Sequence, residues 1–123
     1  MKPIPECRIV ATRAPGARVW EFCLVNDGET AIEAAVLEAV KYEWGDQYLG
    51  GESPRAQVAN LAAGAQARIW TDNGSSEMRT DLWVRVTQRG TDTLLLFEFP
   101  KLYGQSGDTL IARPLKVPDT SGA

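Results

Sequence analysis

The chain has 123 residues, enough for one domain, and its 44% hydrophobic and 24% charged content is that of a folded globular protein. Sixteen acidic residues against thirteen basic ones give a formal charge of −3, which argues against a general nucleic-acid binder. Histidine is absent, so Ser-His-Asp and Cys-His catalytic arrangements and every histidine-ligated zinc site are excluded.

At the N-terminus, Met1-Lys2-Pro3-Ile4-Pro5-Glu6 holds two prolines and no apolar run, so no secretory leader is expected and a cytoplasmic location is the default. No window approaches the roughly 18 apolar residues of a membrane helix. Gly and Pro then punctuate short apolar runs, which read as strands at 6–13, 18–26, 31–44, 55–60, 65–72, 78–88, 93–100 and 109–116. A hairpin around Pro15-Gly16 joins the first two. Setting Cys7 opposite Leu24 and Cys23 opposite Arg8 points the two thiols to opposite faces, so no disulfide is expected. In 18–26, Trp20, Phe22 and Leu24 share one face. In 65–72, Ala65, Ala67 and Ile69 oppose Gln66, Arg68, Trp70 and Asp72. In 78–88, Leu82, Val84 and Val86 oppose Arg79, Asp81, Trp83, Arg85 and Thr87. The polar link Gln88-Arg89-Gly90-Thr91-Asp92 predicts a hairpin, and Asp27-Gly28 and Asp72-Asn73-Gly74-Ser75-Ser76 predict turns.

Residues 31–44 carry two readings. They are rich in helix formers, Thr30 and Glu33 have capping-box spacing, and Gly45 stands where a helix would end. Yet Ile32, Val36, Val40 and Trp44 are all even-numbered, so a strand gathers them too, and the all-strand context favours that reading. The remaining alternative is an α+β fold with 31–44 helical.

Seven or eight strands at this spacing suggest two packed antiparallel sheets in a single domain, 1–117, with a flexible tail at 118–123. The run Phe22-Cys23-Leu24-Val25-Asn26-Asp27-Gly28-Glu29-Thr30-Ala31-Ile32 and the later Leu61-Ala62-Ala63-Gly64-Ala65-Gln66-Ala67-Arg68-Ile69 resemble the turn-to-strand steps of bacterial immunoglobulin-like and fibronectin-like modules. The resemblance covers about residues 18–72 and implies an all-β, immunoglobulin-like antiparallel β-sandwich. It implies no particular activity. The core is expected from Ile9, Trp20, Phe22, Leu24, Ile32, Val36, Val40, Ile69, Leu82, Val84, Val86, Phe97 and Phe99.

Chemistry-bearing patterns are few. Ser53, Ser75, Ser76, Ser106 and Ser121 lack a histidine base, and neither a nucleophile elbow nor a phosphate loop is present; Gly45 and Gly50-Gly51 match no phosphate fingerprint. Glu33, Glu38, Glu43 and Glu98 could serve as general acid and base but read first as solvated charges. The stretch Asp72 to Glu77 gathers oxygen ligands without the full calcium-loop pattern, and an Asx turn accounts for it. No catalytic residue, metal or cofactor is assigned.

The outer faces are more informative. Parity turns Trp83 outward between Arg79 and Arg85, and Trp70 outward beside Arg68. If 78–88 lies between 31–44 and 93–100, as the resemblance implies, Trp83 meets Ala35, Leu37 and Ala39 on one side and Leu94 and Leu96 on the other. Arg79, Arg85, Lys41, Glu33, Glu43 and Glu98 would rim this patch, which calls for a protein partner or a second copy of the chain. Alternatively the C-terminal segment, with Leu110, Ile111, Leu115 and Val117, folds back to cover it. The expected function is a non-catalytic interaction or structural module; the alternative is a carbohydrate- or peptide-binding module that uses Trp70 or Trp83 as a stacking platform. Neither nucleic acid nor a membrane is an expected partner.

Overall fold

The computed structural model describes residues 4–42, 45–48, 56–75 and 77–117. Glu43, Trp44, Gly50, Gly51, Ser53, Ser76 and the 118–123 tail lie outside the described residues. Ten strands are found among the described residues: β1 (Cys7–Thr12), β2 (Trp20–Asn26), β3 (Ile32–Tyr42), β4 (Gly45–Tyr48), β5 (Gln57–Leu61), β6 (Gln66–Asp72), β7 (Thr80–Gln88), β8 (Thr91–Phe99), β9 (Thr109–Ala112) and β10 (Leu115–Lys116). None of the described residues is helical. One sheet has the order β6-β2-β1-β9 and the other β10-β8-β7-β3-β4, with β5 also paired to β3; every pairing is antiparallel. The protein is therefore an all-β sandwich of two antiparallel sheets.

The segment with helical propensity is β3, the most heavily paired strand. Its N-terminal half bonds to β5, its C-terminal end to β4, and nearly its whole length to β7. Backbone groups satisfied on both flanks outweigh a local preference worth a few tenths of a kcal/mol per residue. Its phase differs from the expected one. Ala35 and Leu37, expected outside, are 1% exposed, whereas Val36, expected in the core, lies opposite Arg85 on the outer face. The cause is a β-bulge: the β3–β7 register shifts between Leu37 and Ala39, and Glu38 is the extra residue. Beyond it even-numbered residues turn inward, so Val40 returns to the core at 2% exposed.

A second bulge corrects the reading of β6. The β2–β6 register shifts between Phe22 and Cys23, leaving Ile69 unpaired and setting Trp70 opposite the buried Phe22. Trp70 thus packs against the core, not outward beside Arg68. In the first hairpin Cys7 pairs with Asn26 and Val10 with Cys23, two residues from the expected register because the connection is longer than a tight turn. A shift of two preserves the faces: Cys7 is buried, Cys23 is half-buried and both are free thiols. Residues 109–116 divide into β9 and β10, on different sheets, at Arg113-Pro114. Pro114 lacks the N–H a continuing ladder would use.

The β7–β8 hairpin matches expectation. Gln88 pairs with Thr91, and Arg89 (φ 54°) and Gly90 (φ 73°) form the turn, both with the positive φ that a two-residue turn matched to strand twist requires. The core between the sheets contains Trp20, Phe22, Leu24, Ile9, Leu82, Val84, Val86, Leu95, Phe97 and Phe99, all at most 1% exposed. Phe22 and Phe99 meet edge-to-face, centroids 5.0 Å apart, across the two sheets. Leu102, from the β8–β9 connection, is fully buried beside them.

Among the described residues two polar side chains, Asn26 and Thr80, have no exposure, and Asn26 is the one tied into a hydrogen-bond network. Asn26, at the end of β2, donates from Nδ2 to the carbonyls of Thr30 (2.9 Å) and Leu61 (3.0 Å) and accepts the Gly28 N–H at Oδ1 (3.0 Å). Its backbone bonds Ala65 and Gly64. The Asn-Asp-Gly turn and the Leu-x-x-Gly step named in the sequence are thus one structural unit, clamped by a single amide.

Candidate interaction face

The outer face of the larger sheet is built by cross-strand register. Reading from the edge, Leu115 of β10 opposes Leu96 of β8, Leu96 opposes Trp83 of β7, and Trp83 opposes Ala39 of β3. The neighbouring row joins Leu94, Arg85 and Val36. Leu115 is 48% exposed, and Trp83, Leu94 and Leu96 are half-buried. Trp83, Leu94, Leu96, Arg79 and Arg85 are accordingly brought together on one face. Leu37 is removed from it by the bulge, and Trp70 and Arg68 belong to the other sheet. Val36 and Leu115 are the members that alternation did not find.

The C-terminal segment does not fold over this face among the described residues. β10 instead lies edge-on against β8, with the Val117 N–H donating to Leu94 O at 3.3 Å, and so widens the sheet.

The charges around the apolar rows are paired within the chain. Arg85 Nε meets Glu38 Oε1 at 2.6 Å, and the bulge is what brings Glu38 within reach. Arg79 bridges Asp81 (3.2 Å) and Glu98 (3.6 Å). Lys41 Nζ stands 4.8 Å from the centre of the Trp83 ring, a cation–π contact that shields the indole. The Trp83 Nε1–H is out of solvent and, like those of Trp20 and Trp70, has no hydrogen-bond acceptor among the described residues. Such an orphaned donor is costly, on the order of 1–3 kcal/mol.

Other sites offer less. Three of the four carboxylates considered for acid–base work are held in the fold, Glu38 and Glu98 by the arginines above and Glu33 by accepting the Gly90 N–H at 3.1 Å; Glu43 lies outside the described residues. Among the described residues no group of three His, Cys, Asp or Glu side chains is placed to hold a metal ion. In the 72–77 stretch, Asp72 Oδ1 accepts the Gly74 N–H (2.8 Å) and Asn73 Oδ1 accepts the Ser75 N–H (3.0 Å), the bonding of Asx turns. At one end of the sandwich a cleft of about 480 Å³ opens between Ile4, Glu6, Gly28, Gln88 and Arg89. Gln88 there is committed to Thr30, donating to its carbonyl (3.0 Å) and Oγ1 (3.1 Å). The Cys7 thiol is pushed up to about 12 by burial, with Asp27 adding to the effect; Cys23 is also raised by burial, so neither is an activated nucleophile.

No family model, curated protein or solved structure matches the chain, so its reading rests on the arrangement of its own residues.

Proposed function

We propose that the domain is a non-catalytic interaction module of immunoglobulin-like type that docks on a larger protein through the outer face of its larger sheet. The observation that carries the reading is the apolar row Leu115–Leu96–Trp83–Ala39, flanked by Leu94 and Val36 and enclosed by charges already neutralised within the chain. A rim of closed ion pairs presents little net charge, which suits burial against an apolar protein surface better than capture of an ionic ligand. Strand order supports the immunoglobulin-like type. β1, β2 and β6 neighbour one another in one sheet, and β8, β7, β3 and β4 in the other, as in the A-B-E and G-F-C-C′ strands of that architecture. The departures are β5, which pairs with β3, and the added edge strands β9 and β10.

Stacking of a carbohydrate on tryptophan is the weaker reading. Trp70 packs on the core, and Lys41 occupies the ring face of Trp83 that a sugar would need. The test uses immobilised wild-type protein and the Trp83→Lys and Leu96→Lys variants to capture partners from the source organism. A partner retained by the wild type and lost on both folded variants supports the reading. An unchanged set of retained proteins overturns it.

A further inference from the structure

The smaller sheet ends in β9, Thr109-Leu110-Ile111-Ala112, an edge strand without a charge or a proline. Natural edge strands are usually blunted by such residues or by a bulge, because a bare edge is a template for another strand. Hydrogen bonding fixes which groups it leaves open. The Arg13 N–H donates to Asp108 O (3.1 Å), and β1 pairs with β9 as Ala11 with Leu110 and Ile9 with Ala112. In an antiparallel ladder, hydrogen-bonded pairs alternate with non-bonded ones, so residues 108, 110 and 112 bond β1, while Thr109 and Ile111 turn their N–H and C=O groups away from it. The neighbouring ladder agrees: the Asp27 N–H donates to Glu6 O, so even-numbered residues of β1 bond β2, leaving its odd-numbered residues to β9. Among the described residues no strand pairs with the open side of β9. The side chains follow suit: Ala112 is buried and Leu110 packs on the core, but Ile111 is 55% exposed beside Val10 on the outer face.

We propose that β9 is a homodimerisation edge, at which a second copy of this chain adds its own β9 antiparallel to form one continuous eight-stranded sheet. Open groups sit on odd-numbered residues only, so a two-fold pairing must match odd with odd. With Ile111 opposite Ile111 of the second copy, the ladder covers the five residues 109–113 of each chain, one past β9: both Ile111 residues exchange two bonds, and Thr109 and Arg113 of opposite copies pair on either side. That register joins Val10, Ile111 and their two-fold mates into one apolar stripe across the junction. A second copy is favoured over an unrelated peptide because β9 itself carries no charge, its exposed apolar residue falls on the symmetry axis, where it meets itself, and the Arg113 that follows meets the neutral Thr109 of the other copy.

This inference is independent of the Trp83 face, and the experiment separates them. Mass is measured by light scattering from about 10 μM to 1 mM for wild type, Ile111→Lys and Trp83→Lys, and amide exchange is followed in the wild type. Expected are a wild-type dimer, at least a tenfold weaker dimer for Ile111→Lys, no change for Trp83→Lys, and Thr109 and Ile111 amides whose protection falls on dilution. A wild type monomeric throughout, a dimer indifferent to Ile111→Lys, or Thr109 and Ile111 amides that exchange freely in the dimer would each overturn the proposal. Ile111 is exposed, so its lysine variant should fold, and the exchange measurement needs no variant.

Discussion

The substitution Asn26→Asp tests the clamp that ties the β2–β3 and β5–β6 connections together. The two side chains have nearly the same shape, so the change is chemical and no cavity is opened. Oδ1 keeps its bond from the Gly28 N–H, but the two bonds donated by Nδ2 to the carbonyls of Thr30 and Leu61 are lost. A carboxylate oxygen then faces two carbonyl oxygens in a site with no solvent exposure. The Thr30 carbonyl keeps the bond it accepts from Gln88 Nε2, so the lost pairing falls on the Leu61 carbonyl at about 1–3 kcal/mol; the buried charge adds to it, and the variant should lose about 2–4 kcal/mol at neutral pH. Burial and the facing carbonyls disfavour the charged form, so the pKa of the introduced carboxyl is higher in the folded state than in the unfolded chain. The variant's stability is therefore best below the unfolded value, near 4, where the neutral acid donates one of the two lost bonds, and falls as pH rises towards the folded value. Urea midpoints of wild type and variant with a shared slope, at pH 7 and pH 4, give the difference. A loss below about 1 kcal/mol at pH 7, or a deficit no smaller at pH 4, would refute the reasoning.

Three further outcomes follow from named contacts. At Gly74 (φ 73°) an added Cβ would lie 2.3 Å from the Arg18 carbonyl oxygen, so Gly74→Ala should cost about 2–3 kcal/mol in the same urea assay; a neutral result would mean that the Arg18 backbone yields freely. The raised pKa of Cys7 means that its contribution to stability is present below pH 9 and lost as pH climbs towards about 12. Wild type should therefore lose about 1.4 kcal/mol per pH unit relative to Cys7→Ala over that range, and alkylation of the native protein should label Cys23 well before Cys7. Deleting Glu38 should remove the bulge without moving the register, since Ala39 would still meet Trp83 and Val40 would still meet Leu82. The fold should then persist to within about 1 kcal/mol, because the Arg85 ion pair lost with it is partly exposed; a collapse on deletion would show that the bulge is needed and not merely accommodated.

Much of the fold could be read from alternation alone, because a strand buried on one face must repeat with period two. β7 shows this most clearly: Leu82, Val84 and Val86 are inside and Trp83 and Arg85 are outside, as their spacing requires. The β7–β8 turn was equally legible, since a polar link centred on glycine leaves few other options. β4 was not, because Gly45–Tyr48 has neither alternation nor branched residues and takes its conformation from pairing with β3. Leu102 gave no signal either, since a lone leucine in a connection carries no period.

The misplaced residues share a single physical cause. Period-two reasoning assumes an unbroken ladder, and one extra residue moves every later side chain to the other face. Glu38 does this in β3 and Ile69 in β6, and each error falls beside one of them: Ala35, Val36 and Leu37 before the first, Trp70 after the second. Anchoring the phase of β3 on Val40 carried the wrong parity backwards through the bulge; anchoring it on Leu37 would have carried it forwards. The same irregularity gives the outer face its present form. Paired like its neighbours, Glu38 would turn Ala39 inward and Val40 outward; set outside the ladder, it leaves Leu37 and Val40 both in the core with Val36 and Ala39 outside beside Trp83, and places its carboxylate 2.6 Å from Arg85. The bulge that obscured the pattern is thus what absorbs the extra residue, so that β3 supplies both the core and the apolar row in spite of it.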